Sequence, residues 1–348
     1  MRDPVTDLRR IAFLLERAHS STYRVRAFRT AANVLAGRDD LDLIARGRGL
    51  TSLKGVGDTT ARCVLQSLAG DEPAYLRELE DTAGTPAAEA KIPAIPTLHG
   101  AAAELRAAMR GDCHSHSDWS DGGSPIEEMA LTARDLGHEY LVLTDHSPRL
   151  TVANGLSADR LRRQLEVVAE INTRLAPFTI LTGIEVDILD DGALDQHEEL
   201  LAQLGVVVAS VHSKLRMPAA EMTERMLTAV ANPHVDVLGH CTGRMVTGAR
   251  TRPESSFDAA AVFAACAEYG VAVEVNCRPE RLDPPRRLLR QAVEAGCHFS
   301  LDTDAHAPGQ LDWLPYGCAR AAECEVPPDR VINTWTAREL LMWTGPAS

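Results

Sequence analysis

Seven apolar, β-branched runs follow one another through the last two-thirds of this 348-residue chain, and six of them end on a histidine or a carboxylate. They close with His114-Ser115-His116, Thr144-Asp145-His146, Ile184-Glu185-Val186-Asp187, Ser210-Val211-His212, Leu238-Gly239-His240, Val275-Asn276-Cys277 and Thr303-Asp304-Ala305-His306. Helix-like segments separate the runs. In a closed barrel of parallel strands the C-terminal strand ends converge on one face, so these imidazoles and carboxylates meet in one pocket. Neutral imidazole and carboxylate are ligands for zinc, manganese or iron. The pattern points to a metalloenzyme.

The strands are expected at about 110–115, 139–144, 178–184, 205–211, 235–239, 271–276 and 298–303. Their alternation with helices is that of a parallel α/β barrel. Seven strands rather than eight predict a distorted or incompletely closed one. A helix over Pro125–Gly137 has Ser124 at its N-cap and Pro125 at its first position. Upstream, residues 5–70 read as helices, with Leu8, Ile11, Leu14 and Leu15, then Val25, Phe28, Ala32 and Leu35, at helical spacing. The turn Gly55-Val56-Gly57 opens a further helix. An Ala/Pro/Thr-rich stretch follows, so the expected organisation is a small helical domain at 1–82, a linker at 83–108 and a large domain at 109–348.

Charge is uneven along this plan. Residues 1–70 hold 12 basic and 7 acidic residues, a balance of +5; the remainder holds 24 and 42, a balance of −18. A basic module beside an acidic one suggests an anionic partner for the former. No apolar run approaches the ~18 residues of a membrane span. Met1-Arg2-Asp3-Pro4 lacks an apolar signal core. The 8 cysteines form no C-x-x-C pair, which argues against a disulfide framework or a zinc ribbon. The expected compartment is the reducing cytoplasm.

Six of the 12 histidines lie at or just past strand ends: His114, His116, His146, His212, His240 and His306. Asp121, Glu185 and Asp304 accompany them. In H-x-H on a strand both rings share a face, and the loop Ser117–Gly123 can turn Asp121 back to them. These nine ligands exceed the needs of one zinc ion and suit two or three. Three divalent ions against three carboxylates leave about +3, enough to attract phosphate oxygens, and metal-activated water supplies the nucleophile for ester hydrolysis. His19, His99, His138, His197, His234 and His298 are assigned no role. Asp118 and Asp187 read as solvated or supporting carboxylates; Cys113 and Cys241 are expected to face away from the pocket.

Together His114-x-His116 with Ser120-Asp121-Gly122, Thr144-Asp145-His146, Gly183-Ile184-Glu185, Ser210-Val211-His212, Gly239-His240 and Asp304-Ala305-His306 resemble the polymerase and histidinol phosphatase (PHP) superfamily over residues 110–345. The resemblance implies a distorted seven-stranded (β/α)7 barrel with a trinuclear centre. It implies a first ion on His114, His116, Glu185 and Asp304. Glu185 would bridge to a second on His212 and His240, and a third would lie on Asp121, His146 and His306. Gly239-His240-Cys241-Thr242-Gly243-Arg244, Glu274-Val275-Asn276, Arg281-Leu282-Asp283 and Tyr316-Gly317 are most like the PHP domain of bacterial family X DNA polymerases. Those domains act as manganese-dependent 3′–5′ exonucleases and related DNA-end-processing phosphoesterases. Residues 5–80 resemble the all-α helix-hairpin-helix domain of the same polymerases, whose palm has no room here.

The resemblance therefore implies DNA as partner, contacted through Gly55, Val56, Gly57 and Thr59. Glycine lets backbone N–H groups at a helix start approach a phosphate. Asp58 opposes this. Thr59 and Cys63 stand where lyase-active relatives carry Schiff-base lysines, which argues against lyase activity. Arg244, just past His240, is the candidate protein-side phosphate contact, against a structural salt bridge on its loop. The expected activity is metal-dependent hydrolysis of DNA phosphodiesters, as a 3′–5′ exonuclease or end-cleaning repair enzyme. A small-molecule phosphatase of histidinol-phosphatase-like or nucleotide type is the rival. A non-catalytic DNA-end module is a second, disfavoured by the complete ligand set. Manganese, zinc and iron all accept these ligands.

Overall fold

Asp3 starts the first helix by accepting the N–H groups of Val5 and Thr6, with Pro4 at the first helical position, where its missing N–H costs nothing. The computed structural model describes residues 2–47, 49–248 and 251–345, in two compact units, 1–95 and 96–348. The first unit holds α1 (Pro4–Arg17), α2 (Thr22–Leu35), α3 (Leu41–Arg46), α4 (Asp58–Leu68) and α5 (Ala74–Asp81). The periodic residues Leu8, Ile11, Leu14, Leu15, Phe28, Ala32 and Leu35 are all buried. Glu16 and Arg29 pair inside it through two hydrogen bonds of 2.7 and 2.8 Å. The turn before α4 has Gly55 at φ +99°, and a Cβ there would stand 2.8 Å from Thr30 Cγ2. Only glycine fits without strain.

The second unit opens with α6 (Ala101–Ala108) and then alternates β1 (Gly111–Ser115), α7 (Ile126–Asp135), β2 (Tyr140–Leu143), α8 (Ala158–Leu175), β3 (Thr179–Asp187), α9 (Glu198–Leu201), β4 (Val206–Ser210), α10 (Ala219–Val230), β5 (Val237–Leu238), α11 (Ala259–Tyr269), β6 (Ala272–Asn276), α12 (Arg286–Glu294) and β7 (Phe299–Asp302), ending in α13 (Leu314–Glu323) and α14 (Ala337–Thr344). All seven strands pair in sequence order and in parallel. β3 spans the transition, its first half on β2 and its second half on β4. Closure is a single parallel bridge, Ser115 to Ala305, with His116 N–H donating to Ala305 O at 2.8 Å. The expected seven-stranded, distorted barrel is present.

Strand alternation divides the core. Ile184, Val186, Val207, Ala209, Val273 and Val275 pack outward with residues of α10 and α11 such as Met226 and Phe263. Tyr140, Val142, Leu181, Val206, Val208, Val237 and Ala272 form a second cluster with Ile332 and with Leu340 of α14. Tyr140 lies over Gly111, where a Cβ would fall 2.2 Å from its ring. Apolar packing thus occupies the lower barrel, while polar residues of the same parity (Thr144, Glu185, Ser210, Glu274) lie toward the strand C-termini.

Four expectations need adjusting. α7 begins at Ile126 with Pro125 in the N-cap place, and Ser124 makes no cap hydrogen bond; its carbonyl instead accepts Asp118 N–H. The β1 register shifts between Asp112 and Ser115, and Cys113 packs with Tyr140 and Val142 rather than in the outer layer. The stretch 83–108 is divided between the units. Ala87 N–H donates to Ala18 O, whereas α6 carries Leu105 into the barrel's outer core. With residues 71–95 included, the first unit has 14 basic and 13 acidic residues, because α5 and its flanks are acidic. No helix among the described residues is long and apolar enough to cross a membrane. All 8 cysteines are buried free thiols.

Candidate metal centre

Glu185, near the end of β3, is the point on which the strand ends converge. Its Oε2 lies 3.4 Å from His114 Nε2, 3.6 Å from His116 Nε2 and 2.7 Å from His146 Nδ1. Its Oε1 lies 3.2 Å from His212 Nε2 and 2.9 Å from His240 Nε2. Asp304 Oδ1 lies 3.5 Å from His116 Nε2. Asp121 Oδ1 completes the set, 3.5 Å from His146 Nε2 and 3.3 Å from His306 Nε2. All nine candidate ligands therefore stand in one constellation. His114, His116, Glu185, His240 and Asp304 are buried; Asp121 is exposed and His306 half-buried, so the centre opens to solvent on the side of these two.

Local chemistry explains the arrangement. The loop after β1 folds back because Gly122 N–H donates to Ser117 O and Gly123 N–H to His306 O. A Cβ at Gly122 would lie 2.6 Å from the Ser117 carbonyl. Buried Asp145 accepts from Ser117 N–H, Ser117 Oγ, Ser120 Oγ and Gln164 Nε2, which fixes the loop carrying Asp121. Asp304 has φ +52°, a left-handed backbone that aspartate adopts more readily than most residues; such strain gathers at functional sites.

The residues fit divalent metal ions. His114 Nε2, both nitrogens of His116 and Glu185 Oε2 are buried without a hydrogen-bond partner, and orphaned buried polar atoms are costly. Two ligand atoms bound at about 2.1 Å to one tetrahedral ion stand about 3.4 Å apart, close to most separations here. Three groups have ligand atoms mutually within 4.8 Å: His116, Asp121, His146 and His306; His114, His116 and Glu185; and His146, Glu185 and His212. The resemblance assigned His116 and His146 to one ion each. The geometry places both between two groups, and it sets His240 and Asp304 at the edges, against Glu185 and His116.

Charges are arranged to match. Burial works against the Glu185 carboxylate, but His212, His114 and His146 hold its pKa well below the usual range. Burial likewise disfavours ionised Asp304, and His116 and Arg278 bring its pKa well below normal. Burial, reinforced by His306 and His146, pushes His116 well down. Burial and Arg281 lower His240 to about 4. For His212 burial is outweighed by Glu185 and Asp187, which raise it to about 9. Protons and metal ions compete for such nitrogens.

Several participants were not legible as ligands. Asp187, expected as a supporting carboxylate, accepts His212 N–H at 3.2 Å. Glu274 of β6 lies 2.6 Å from His114 Nδ1 and also accepts His240 N–H. Its signal was strand alternation, since it shares a face with Ala272 and Asn276. Arg278 Nη1 donates to Asp304 O at 2.9 Å, and its guanidinium lies over the Trp313 ring. Arg281 Nε is 3.3 Å from Asp304 Oδ2, yet its Nε and Nη1 make no hydrogen bond.

Of the two roles expected for Arg244, its contacts match the structural one on its loop. Its Nε donates to Arg281 O at 3.0 Å, its Nη2 to Leu282 O, and its Nη1 lies 3.5 Å from Glu254. The guanidinium clamps a loop, because the chain past Asn276 turns back toward it. In the helical unit, Val56 is buried and its N–H goes to Leu53 O, and Gly57 N–H goes to Thr60 Oγ1. The exposed Thr59 lies in the first turn of α4, whose N–H groups have no intrahelical acceptor.

Comparison with known proteins agrees with both units. Residues 112–278 match the PHP domain model and residues 2–72 a helix-hairpin-helix domain model. The DNA polymerase/3′-5′ exonuclease PolX of Bacillus subtilis (strain 168) is 38% identical over 232 residues, covering 67% of this chain but 40% of that protein. The chain thus spans less than half of that relative's length. A probable phosphatase of Thermoanaerobacter sp. (strain X514) is 28% identical over 234 residues, covering 64% of this chain and 89% of that protein. A solved histidinol phosphate phosphatase of Lactococcus lactis aligns over 61% of this chain and 92% of its own, with 20% identity and a TM-score of 0.44.

Proposed function

Residues 112–278 form a PHP domain and residues 2–72 a helix-hairpin-helix domain, and from that premise we propose that this chain is a metal-dependent hydrolase of phosphate esters acting on DNA phosphodiesters. The observation that carries it is the convergence of five imidazoles on buried Glu185, with Asp304, Asp121 and His306 completing the set of nine. Up to three divalent ions, manganese, zinc or iron, held by His114, His116, Asp121, His146, Glu185, His212, His240, Asp304 and His306, would acidify water and draw in phosphate oxygens. The protein's own part is positioning. Arg281, with unspent donors beside Asp304, replaces Arg244 as the phosphate contact, since a guanidinium meets two phosphate oxygens at once. Asp121 and His306, at the open side, face the entering ester. Removal of nucleotides from a 3′ end is the form of the reaction that the 38% identical relative favours.

A second reading has its own support. The first unit is nearly neutral in charge, and Arg2, Arg10, Arg24, Arg38 and Arg77 are each paired with a carboxylate within it. A small-molecule phosphatase would need no cationic module. The deciding experiment is a parallel assay of the purified protein with single-stranded DNA, duplex DNA, histidinol phosphate and p-nitrophenyl phosphate, each with manganese or zinc. Faster turnover of DNA supports the first reading. Rapid histidinol phosphate cleavage with inert DNA replaces it with the second.

A further inference from the structure

β6 supplies no metal ligand, yet its side chains touch ligands from three other strands. Glu274 is fully buried. Its Oε1 lies 2.6 Å from His114 Nδ1, a ligand of β1. Its Oε2 accepts the main-chain N–H of His240, which follows β5. Asn276, two residues along the same face, donates from Nδ2 to Glu274 Oε2 at 3.3 Å and to Asp304 Oδ2 at 3.2 Å, reaching the ligand that follows β7.

We propose that Glu274 is the positioning residue of the metal centre. It holds the His114 proton on Nδ1, so that the Nε2 lone pair faces Glu185, and it sets β5 against β1 through the His240 amide. The inference rests on the metal-centre reading and not on the choice of substrate. Both oxygens of the carboxylate accept here, one from His114 and the other from the His240 amide and Asn276; a carboxamide has only one accepting end. In Glu274→Gln, an NH2 turned to His114 would require Nδ1 to accept, moving the proton to Nε2 and blocking it as a ligand. Turned the other way, it would meet the His240 N–H donor to donor. Partners of this kind change metal affinity by about 10- to 100-fold when lost.

The test compares wild type, Glu274→Gln and Glu274→Asp by metal content and zinc affinity of the full chain. Nitrogen-15 histidine NMR of the zinc-loaded protein adds a readout independent of activity. Retention should fall in the order wild type, Asp, Gln, with about 10- to 100-fold weaker binding in Glu274→Gln and loss of the protected His114 Nδ1–H signal. A packing role alone gives the reverse order, because glutamine is the isostere and aspartate leaves a void. That order, or a Gln variant with unchanged metal and an unchanged His114 signal, overturns the inference. A wild type that binds no metal overturns the metal-centre reading itself. Should Glu274→Gln not fold, Asn276→Ser carries the test: weakened zinc binding supports the network, and unchanged binding refutes it.

Discussion

Glu185 shows how one residue can serve a whole site. Five imidazoles approach its two oxygens within 3.6 Å, so a carboxylate bridging two cations is the arrangement its surroundings favour. Glu185→Ala should therefore cost more than one ion per chain, since its loss removes a ligand from two positions and leaves their charges unscreened. Elemental analysis after gel filtration checks this, and a loss of one ion or none rules out bridging. The two arginines give a paired expectation. Arg281→Met should lower kcat/KM for any phosphate ester by about 10- to 100-fold, the worth of one charged hydrogen bond. Arg244→Met should instead lower Tm with a smaller effect on turnover, because its donors hold main-chain carbonyls. The ligands were legible because all but Asp121 lie at or just past a strand end and Asp121 follows the first pair on a short loop, whereas Glu274 and Arg281 were not: one sits mid-strand and the other on a loop whose path depends on tertiary packing. Arg244 stayed open between its two readings for the same reason, since sequence adjacency to His240 says nothing about where a flexible guanidinium finds acceptors.

Elements were legible where their periodicity was strong. The seven strands fall where apolar runs predicted them, apart from β5, reduced to Val237–Leu238. The closure through one bridge could not be read, because it depends on how far β1 and β7 diverge. The junction of α7 and β2 carries an expectation of its own. Gly137 ends the helix at φ +91°, and His138 N–H returns to Ala133 O at 3.1 Å, burying the His138 ring with neither nitrogen hydrogen-bonded. Burial, helped by Arg106, lowers its pKa to about 4, below the ~6.5 of a free imidazole. The unfolded chain thus takes up the proton first. The stability present above pH ~6.5 is lost as the pH falls toward 4, amounting to about 2 kcal/mol at pH 5. In His138→Leu this loss should vanish, so the variant's stability relative to wild type in urea unfolding should rise by about that amount between pH 7.5 and pH 5. A gap independent of pH would show that His138 does not titrate across the transition.

At the scale of the whole chain, the question is whether the helical unit takes part in handling DNA. The +5 balance of residues 1–70 suggested an electrostatic arm, but the compact unit runs to residue 95, and acidic α5 together with its flanks cancels most of that charge. What remains is local. Lys54 and Arg62 are exposed on either side of the Gly55–Gly57 turn, beside the first turn of α4 whose open N–H groups suit a phosphate. Binding through such a patch is governed by counterion release, so its salt dependence reports the number of phosphates neutralised, at a log–log slope of about −0.7 to −0.9 for each. The double reversal Lys54→Glu with Arg62→Glu should weaken long-DNA turnover several-fold at low salt and flatten that slope by about 1 to 2. Hydrolysis of p-nitrophenyl phosphate should be unaltered, because a small ester needs only the metal centre. The comparison uses the intact chain, so a change in DNA handling cannot arise from unfolding of a truncated barrel. Equal DNA turnover and equal slopes in the two proteins would mean that the turn does not contact DNA. The acidic barrel would then meet its ester unaided, the circumstance in which a small phosphate monoester is the better substrate on electrostatic grounds.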